Sequence, residues 1–166
     1  MCGIVAAKAS SANTVPVLLE RLRKFAYRGY DSAGMAVITP DGDLKRLRAA
    51  GKVSALADLV PAGLGGITAI GHTRWATHGA ANDANAHPHK AGRVLVVHNG
   101  IIENFKPLRE ELAAQGVSFT SQTDTEVVAH LINAALETAG SAEAALRAVL
   151  PRLEGAFALG VMIEGE

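Results

Sequence analysis

Cys2 is the only cysteine in the sequence, and it stands directly after Met1. A cysteine in that position has two readings. In one it is a small buried hydrophobe. In the other, loss of Met1 leaves Cys2 with a free α-amine beside its own sulfur. An α-amine, with a reference pKa of about 7.7–8.0, is partly neutral near pH 7 and can accept a proton. Nucleophile and base are then a single residue, as in N-terminal threonine nucleophiles. A thiolate attacking an amide carbonyl also needs donors for the oxyanion that develops.

Two segments offer such groups. His98 to Asn104, HNGIIEN, follows an apolar run and contains Asn99, with an amide donor, and Gly100, whose backbone N–H is unhindered by a Cβ. The plain alternative is an Asn-Gly turn. Thr73 to Gly79, TRWATHG, packs Arg, Trp, two Thr and His into seven residues. Arg74 there suits bidentate binding of a carboxylate; otherwise it is a surface cation and Trp75 a core plug. Asp124 opens a helical stretch, where the helix dipole favours an acid whatever else it does. Facing a bound ammonium group, it would be a recognition residue.

These residues need rigid supports. Gly3 to Ala7 reads as a buried strand. Val15, Leu18, Leu19, Leu22, Phe25 and Ala26 recur at helical spacing, with Thr14 as N-cap and Pro16 in the first turn. Gly34 to Thr39 and Leu44 to Arg48 flank Pro40-Asp41-Gly42-Asp43, a hairpin composition. Val53 to Val60 reads as a short helix stopped by Pro61, and Ile67 to His72 and Val94 to His98 as buried strands. Three helices follow. One is capped by Asn104 and ends near Gln115; the next opens after Thr123, in a capping box with Glu126, and runs to Gly140. The third spans roughly Ala142 to Leu153 and is broken or kinked at Pro151. Phe157 to Ile163 is a last strand. Strands outside and helices between, the order is that of a mixed α/β layered fold in one domain.

Composition narrows the functions available. The 166 residues carry 16 Lys+Arg against 16 Asp+Glu, which argues against a nucleic-acid or acidic-membrane partner. Alanine accounts for 31 residues and aromatics for only 4%, so close packing of small side chains is expected. A single cysteine forms no internal disulfide, and no apolar run reaches the ~18 residues of a membrane span. A soluble, cytoplasmic protein is the expectation. A rival reading builds a metal hydrolase on His72, His78, His87, His89 and His98, but their spacing matches no standard zinc pattern.

Taken together, MCGIV, YRGYDSAG (Tyr27 to Gly34), TRWATHG, NAHPH (Asn85 to His89), HNGIIEN and SQTDTE (Ser121 to Glu126) resemble the class II glutamine amidotransferases. The likeness is sharpest to the glutamine-hydrolysing domain of the glucosamine-6-phosphate synthase family, the glutamine–fructose-6-phosphate aminotransferases. That resemblance implies an α+β, four-layer αββα N-terminal nucleophile hydrolase fold. It implies Cys2 as nucleophile with its own amine as base, and Asn99 and Gly100 as oxyanion hole. Arg74, with Thr77 and His78, would bind the α-carboxylate of L-glutamine, and Asp124 its α-ammonium. Trp75 would gate the path of ammonia, and Arg28 would support the active-site end of the chain. No metal or organic cofactor is implied for glutamine hydrolysis. The implied partner is a sugar isomerase domain that delivers ammonia to fructose 6-phosphate, within a homo-oligomer.

Some positions depart from the family pattern. Ala6 replaces a usual Gly, adding a methyl near the catalytic strand. Ala81 replaces a common proline, which would loosen its loop, and Gln122 replaces a usual acid. The sequence stops before the family's glutaminase domain does and lacks the isomerase domains. A fragment with an unpaired sheet edge is therefore expected. Two alternatives stay open at this point: a glutamine-binding remnant without turnover, and a relative serving another acceptor.

Overall fold

The computed structural model describes residues 2–10, 13–25, 27, 30–76 and 79–166. Arg28, Thr77 and His78, three of the expected site residues, lie outside that set.

Two antiparallel sheets form the middle of the molecule. The first contains β1 (Gly3–Lys8), β2 (Ser32–Ile38), β3 (Leu44–Ala50) and β4 (Thr68–Arg74), in the order β1-β4-β2-β3. Helices α1 (Thr14–Phe25) and α2 (Val53–Asp58) cover its outer face. The second sheet is β5 (His89–Ala91), β6 (Val94–Gly100) and β7 (Phe157–Ile163), covered by α3 (Phe105–Ala114), α4 (Asp124–Leu136) and α5 (Ala142–Val149).

Period-2 alternation explains the layering. In β2, Ala33, Met35 and Val37 pack under α1 and α2, while Ala36 points at the other sheet. In β6, Val94 and Val96 pack under α4, while Leu95 and Val97 meet Ile70 and Met162 between the sheets. Three apolar layers thus separate four layers of elements, and the αββα sandwich expected from the resemblance is the architecture observed. The helices lie outside and the strands inside, the reverse of the arrangement expected from element order. β7 pairs only with β6, leaving its other side an open edge among the described residues.

Turn and cap chemistry sets the element ends. In the β2–β3 hairpin the Thr39 N–H donates to the Asp43 carbonyl at 2.9 Å, and the Gly42 N–H returns to the Thr39 carbonyl at 2.9 Å. Ser141 Oγ accepts from the Ala144 N–H and starts α5, which gives way to a 3-10 turn, Leu150–Arg152, at Pro151.

Two of the three expected caps have other employment, and the third forms only half of its box. The Thr14 hydroxyl donates to the Gly66 carbonyl at 2.7 Å, tying α1 to the approach of β4. Asn104 makes no side-chain cap and bridges the Arg152 carbonyl and the Glu154 N–H instead. Thr123 does cap α4 through the Glu126 N–H, but the Glu126 carboxylate does not reciprocate. It accepts from the N–H and hydroxyl groups of Thr120 and Ser121, anchoring the segment that leads into α4. β5 has no counterpart among the expected strands.

Candidate active site

The apolar layer between the sheets ends in polar residues at one end, and alternation decides which. Ile4 and Ile70 face the opposite sheet, so Cys2, two residues before Ile4, and His72 and Arg74, two and four after Ile70, share that face. On β6, Leu95 and Val97 put Asn99 on the same face. Val94 and Val96 put His98 on the other, toward α4. A cleft of about 630 Å³ opens there, and its walls include Cys2, Arg74, Trp75, Asn99, Gly100 and Asp124. Every expected site residue among those described reaches this cleft.

Cys2 is half-buried, and its sulfur is fixed by backbone. The Trp75 N–H donates to Sγ at 3.0 Å, and the thiol lies 3.6 Å from the Trp75 carbonyl oxygen. The Gly3 N–H donates to Thr73 Oγ1 at 3.1 Å, aligning the start of β1 on β4. Asn99 Nδ2 donates to the Cys2 carbonyl at 3.2 Å, which holds the amide beside Cys2. Gly100 has φ +116°, and a Cβ there would lie 2.1 Å from the Ala156 carbonyl oxygen of the neighbouring strand end. A side chain is excluded by backbone conformation and by close approach alike. Asn99 and Gly100 pair with Ala158 and Phe157 of β7, so they end a strand and form no hairpin turn.

Arg74 is only 3% exposed and is no surface cation. One of its nitrogens reaches Asp31 at 3.4 Å and the Ala80 carbonyl at 3.2 Å, and the other the Gly79 carbonyl at 3.1 Å. Asp31 also accepts from the Ser32 hydroxyl and from the Ala76 N–H. The Arg74–Asp31 pair therefore holds Ala76 on one side and Gly79 and Ala80 on the other. Trp75, 54% exposed, stands on the rim and plugs no core. Gln122 accepts from the Ala80 N–H and from Asn85 Nδ2, and its own N–H donates to Asn85 Oδ1, so the loop around exposed Ala81 is stitched down. Ala6 is exposed and lines a separate groove with Ala7 and Lys8, away from the cleft.

Asp124 is buried at the start of α4. Its Oδ2 accepts the Ile102 N–H at 2.9 Å, and its Oδ1 lies 3.5 Å from the Thr125 hydroxyl and 3.8 Å from His98 Nδ1. Behind it sits a buried histidine group. His87 Nε2 and His98 Nδ1 both meet Thr125 Oγ1, at 2.8 and 3.0 Å, and His89 Nε2 meets Thr123 Oγ1 at 3.0 Å. The His72 and His87 rings stack at 4.2 Å. Burial pushes His72 down to about 4 and His89 to about 3, and holds His87 well below the ordinary imidazole value, so these rings are neutral at pH 7. Among the described residues, no group of three His, Cys, Asp or Glu side chains is placed to hold a metal ion.

Asp31 and Thr125 were not singled out as site residues from the sequence, and His72 and His87 entered only as ligands in the metal reading. Asp31 and His87 fall inside the YRGYDSAG and NAHPH segments, which drew notice as wholes. His72 carries a signal that alternation could have supplied: it is polar in an apolar strand, two residues before Arg74.

Comparison with known proteins follows the same lines. Residues 72–166 match the family model described as glutamine amidotransferase domain. The chain is 52% identical over 163 residues to the glutamine–fructose-6-phosphate aminotransferases (isomerizing) of Shigella flexneri and Escherichia coli K12, covering 98% of this chain and 27% of each relative. It therefore spans about a quarter of the length of these curated relatives. A glutamine phosphoribosylpyrophosphate amidotransferase from B. subtilis superposes with a TM-score of 0.80 at 25% identity, over 99% of this chain and 35% of that one. A solved allosteric regulatory enzyme of purine biosynthesis gives 0.79 at 26% identity, over 99% of this chain and 36% of that one. With the family model matched over more than half of its residues, the chain belongs to the glutamine amidotransferase domain family.

Proposed function

We propose that this domain hydrolyses the side-chain amide of L-glutamine with Cys2 as nucleophile. The observation that carries the reading is convergence. A lone thiol, an amide donor, a glycine, a buried cation and a buried carboxylate, spread from Cys2 to Asp124, wall one cleft.

The chemistry runs in two halves. The Cys2 α-amine, exposed by removal of Met1, takes the thiol proton, and the sulfur adds to the amide carbonyl carbon. Charge develops on the carbonyl oxygen, which the Asn99 amide and the Gly100 N–H receive; one such donor contributes about 2.7–4 kcal/mol. Collapse breaks the C–N bond, and the proton held by the amine leaves with the nitrogen as ammonia. Water then attacks the thioester, giving its proton to the amine, which returns it to the sulfur as glutamate departs. This sequence uses no metal or organic cofactor.

Arg74 with Thr77 and His78 takes the α-carboxylate, and Asp124 the α-ammonium, so a zwitterion is bracketed by one cation and one anion. Trp75 at the rim gates the path of ammonia, and Arg28 supports the N-terminal end. The acceptor is fructose 6-phosphate in a sugar isomerase domain, yielding glucosamine 6-phosphate in a cytoplasmic homo-oligomer. Support for that acceptor is the 52% identity to aminotransferases named for it, across 98% of this chain.

The test is release of glutamate and ammonia by the purified protein and by Cys2→Ala, with intact mass recorded for both. Equimolar release from protein lacking Met1, absent in the variant, is expected. Equal rates for the two proteins would overturn the assignment.

A further inference from the structure

We infer that His72 is a positioning residue that sets which way the Asn99 amide faces; the inference rests on the glutaminase reading above. The argument concerns hydrogen-bond polarity. The Cys2 carbonyl oxygen can only accept, so the Asn99 atom 3.2 Å from it is the amide nitrogen. The Asn99 oxygen consequently points the other way, to His72 Nε2 at 2.9 Å. The same nitrogen lies 2.9 Å from the His98 carbonyl oxygen. Two acceptors converge on one ring nitrogen, so Nε2 carries the proton and His72 is its donor.

The rest of the ring agrees. His72 Nδ1 is buried with no hydrogen-bond partner among the described residues, as suits the bare nitrogen of that tautomer. The ring is fully buried between the sheets and stacked on His87, so it has little freedom to turn. A flipped Asn99 would set its oxygen against the Cys2 carbonyl oxygen and its N–H groups against a donor. His72, on β4, thereby fixes across the inter-sheet gap the direction in which Asn99, on β6, offers its donor to the nucleophile. An oxyanion donor acts only when it is aimed before charge develops.

The experiment compares His72→Leu, which fills similar volume without a donor, and His72→Gln, whose amide nitrogen can reach the Nε2 position. Glutamine hydrolysis is followed beside alkylation of Cys2 by a small neutral haloamide, a displacement that forms no oxyanion. His72→Leu should lower kcat at least about tenfold, part of the 10²–10³ that loss of a whole donor costs, with KM within about threefold. Its alkylation rate should stay near wild type, and His72→Gln should recover kcat to within about threefold of wild type. Unchanged kcat in His72→Leu would overturn the inference, as would a His72→Gln impaired as severely as His72→Leu. If His72→Leu also loses alkylation, His72→Gln alone decides by the same criterion. Wild-type hydrolysis no faster than that of Cys2→Ala would overturn the glutaminase reading and this inference together. An active wild type with an unaffected His72→Leu overturns only the inference.

Discussion

Asp124→Asn and Asp124→Ala should diverge in stability while failing alike in turnover, because the carboxylate has a backbone partner as well as a place on the cleft wall. Its Oδ2 is the acceptor for the Ile102 N–H, and Ile102 is fully buried. Alanine leaves that N–H without a partner, at about 1–3 kcal/mol, and removes a favourable charge from the N-terminus of α4, at about 0.3–1 kcal/mol. For a domain of this size each kcal/mol lowers Tm by about 2–4 °C. Asparagine keeps an oxygen for Ile102 and loses only the charge, so its Tm should fall by no more than about 4 °C. Both variants leave the substrate ammonium unpaired in a partly desolvated cleft, at about 2–5 kcal/mol by analogy with interface charge pairs. The kcat/KM for glutamine should therefore drop at least about thirtyfold in each. Glutamate release and a thermal melt on the same preparations read both effects. If Asp124→Asn keeps kcat/KM within about threefold, the carboxylate serves only the helix terminus and Ile102, and its substrate role is refuted.

Cys2→Ala should abolish hydrolysis yet retain glutamine binding by calorimetry, since Arg74 and Asp124 are untouched; lost binding would show that the sulfur itself builds the pocket. Gly100→Ala must place a Cβ at φ +116° and 2.1 Å from the Ala156 oxygen, so strain and overpacking together should cost about 2–6 kcal/mol in urea titration. An unchanged midpoint would contradict that geometry. His72, His87 and His89 all titrate below the ordinary value of 6.5. The unfolded chain then binds more protons than the folded one below that pH. Stability is complete above about 6.5 and falls as pH drops toward 4 and 3, by up to about 1.4 kcal/mol per pH unit for each ring. Equal urea midpoints at pH 7 and pH 5 would show that these rings charge freely in the folded state.

What could be read from the sequence followed where local chemistry is decisive. The Pro40-Asp41-Gly42-Asp43 hairpin, the break at Pro151 and the strand Phe157 to Ile163 each carry their own signal, and the structure shows all three. Cys2, Asn99, Gly100, Arg74 and Asp124 stood out as residue types suited to one reaction, and they meet at one cleft. Residues with two available partners were harder to place. Thr14 and Asn104 look like caps locally, but Gly66 and Arg152, distant in sequence, supply better-placed partners once the layers close. β5 is three residues long, too short for alternation to show, and exists because its register against β6 pairs His89 with Val96 and Ala91 with Val94. In β6 the run Val94 to Val97 is apolar on both faces, which hides the division between the α4 side and the inter-sheet side. Only the polar residues that follow, His98 and Asn99, reveal it.

The claim at the centre of the account is that the Cys2 sulfur takes the glutamyl group from glutamine. Rapid mixing of enzyme with glutamine, acid quenching and mass spectrometry of the intact protein and its peptides test this directly. The account predicts a mass increase of one glutamyl group on the peptide that begins at Cys2, appearing on mixing and disappearing as glutamine is exhausted. Glutamate formation with no adduct on Cys2 at any quench time, or an adduct on another residue, would contradict it.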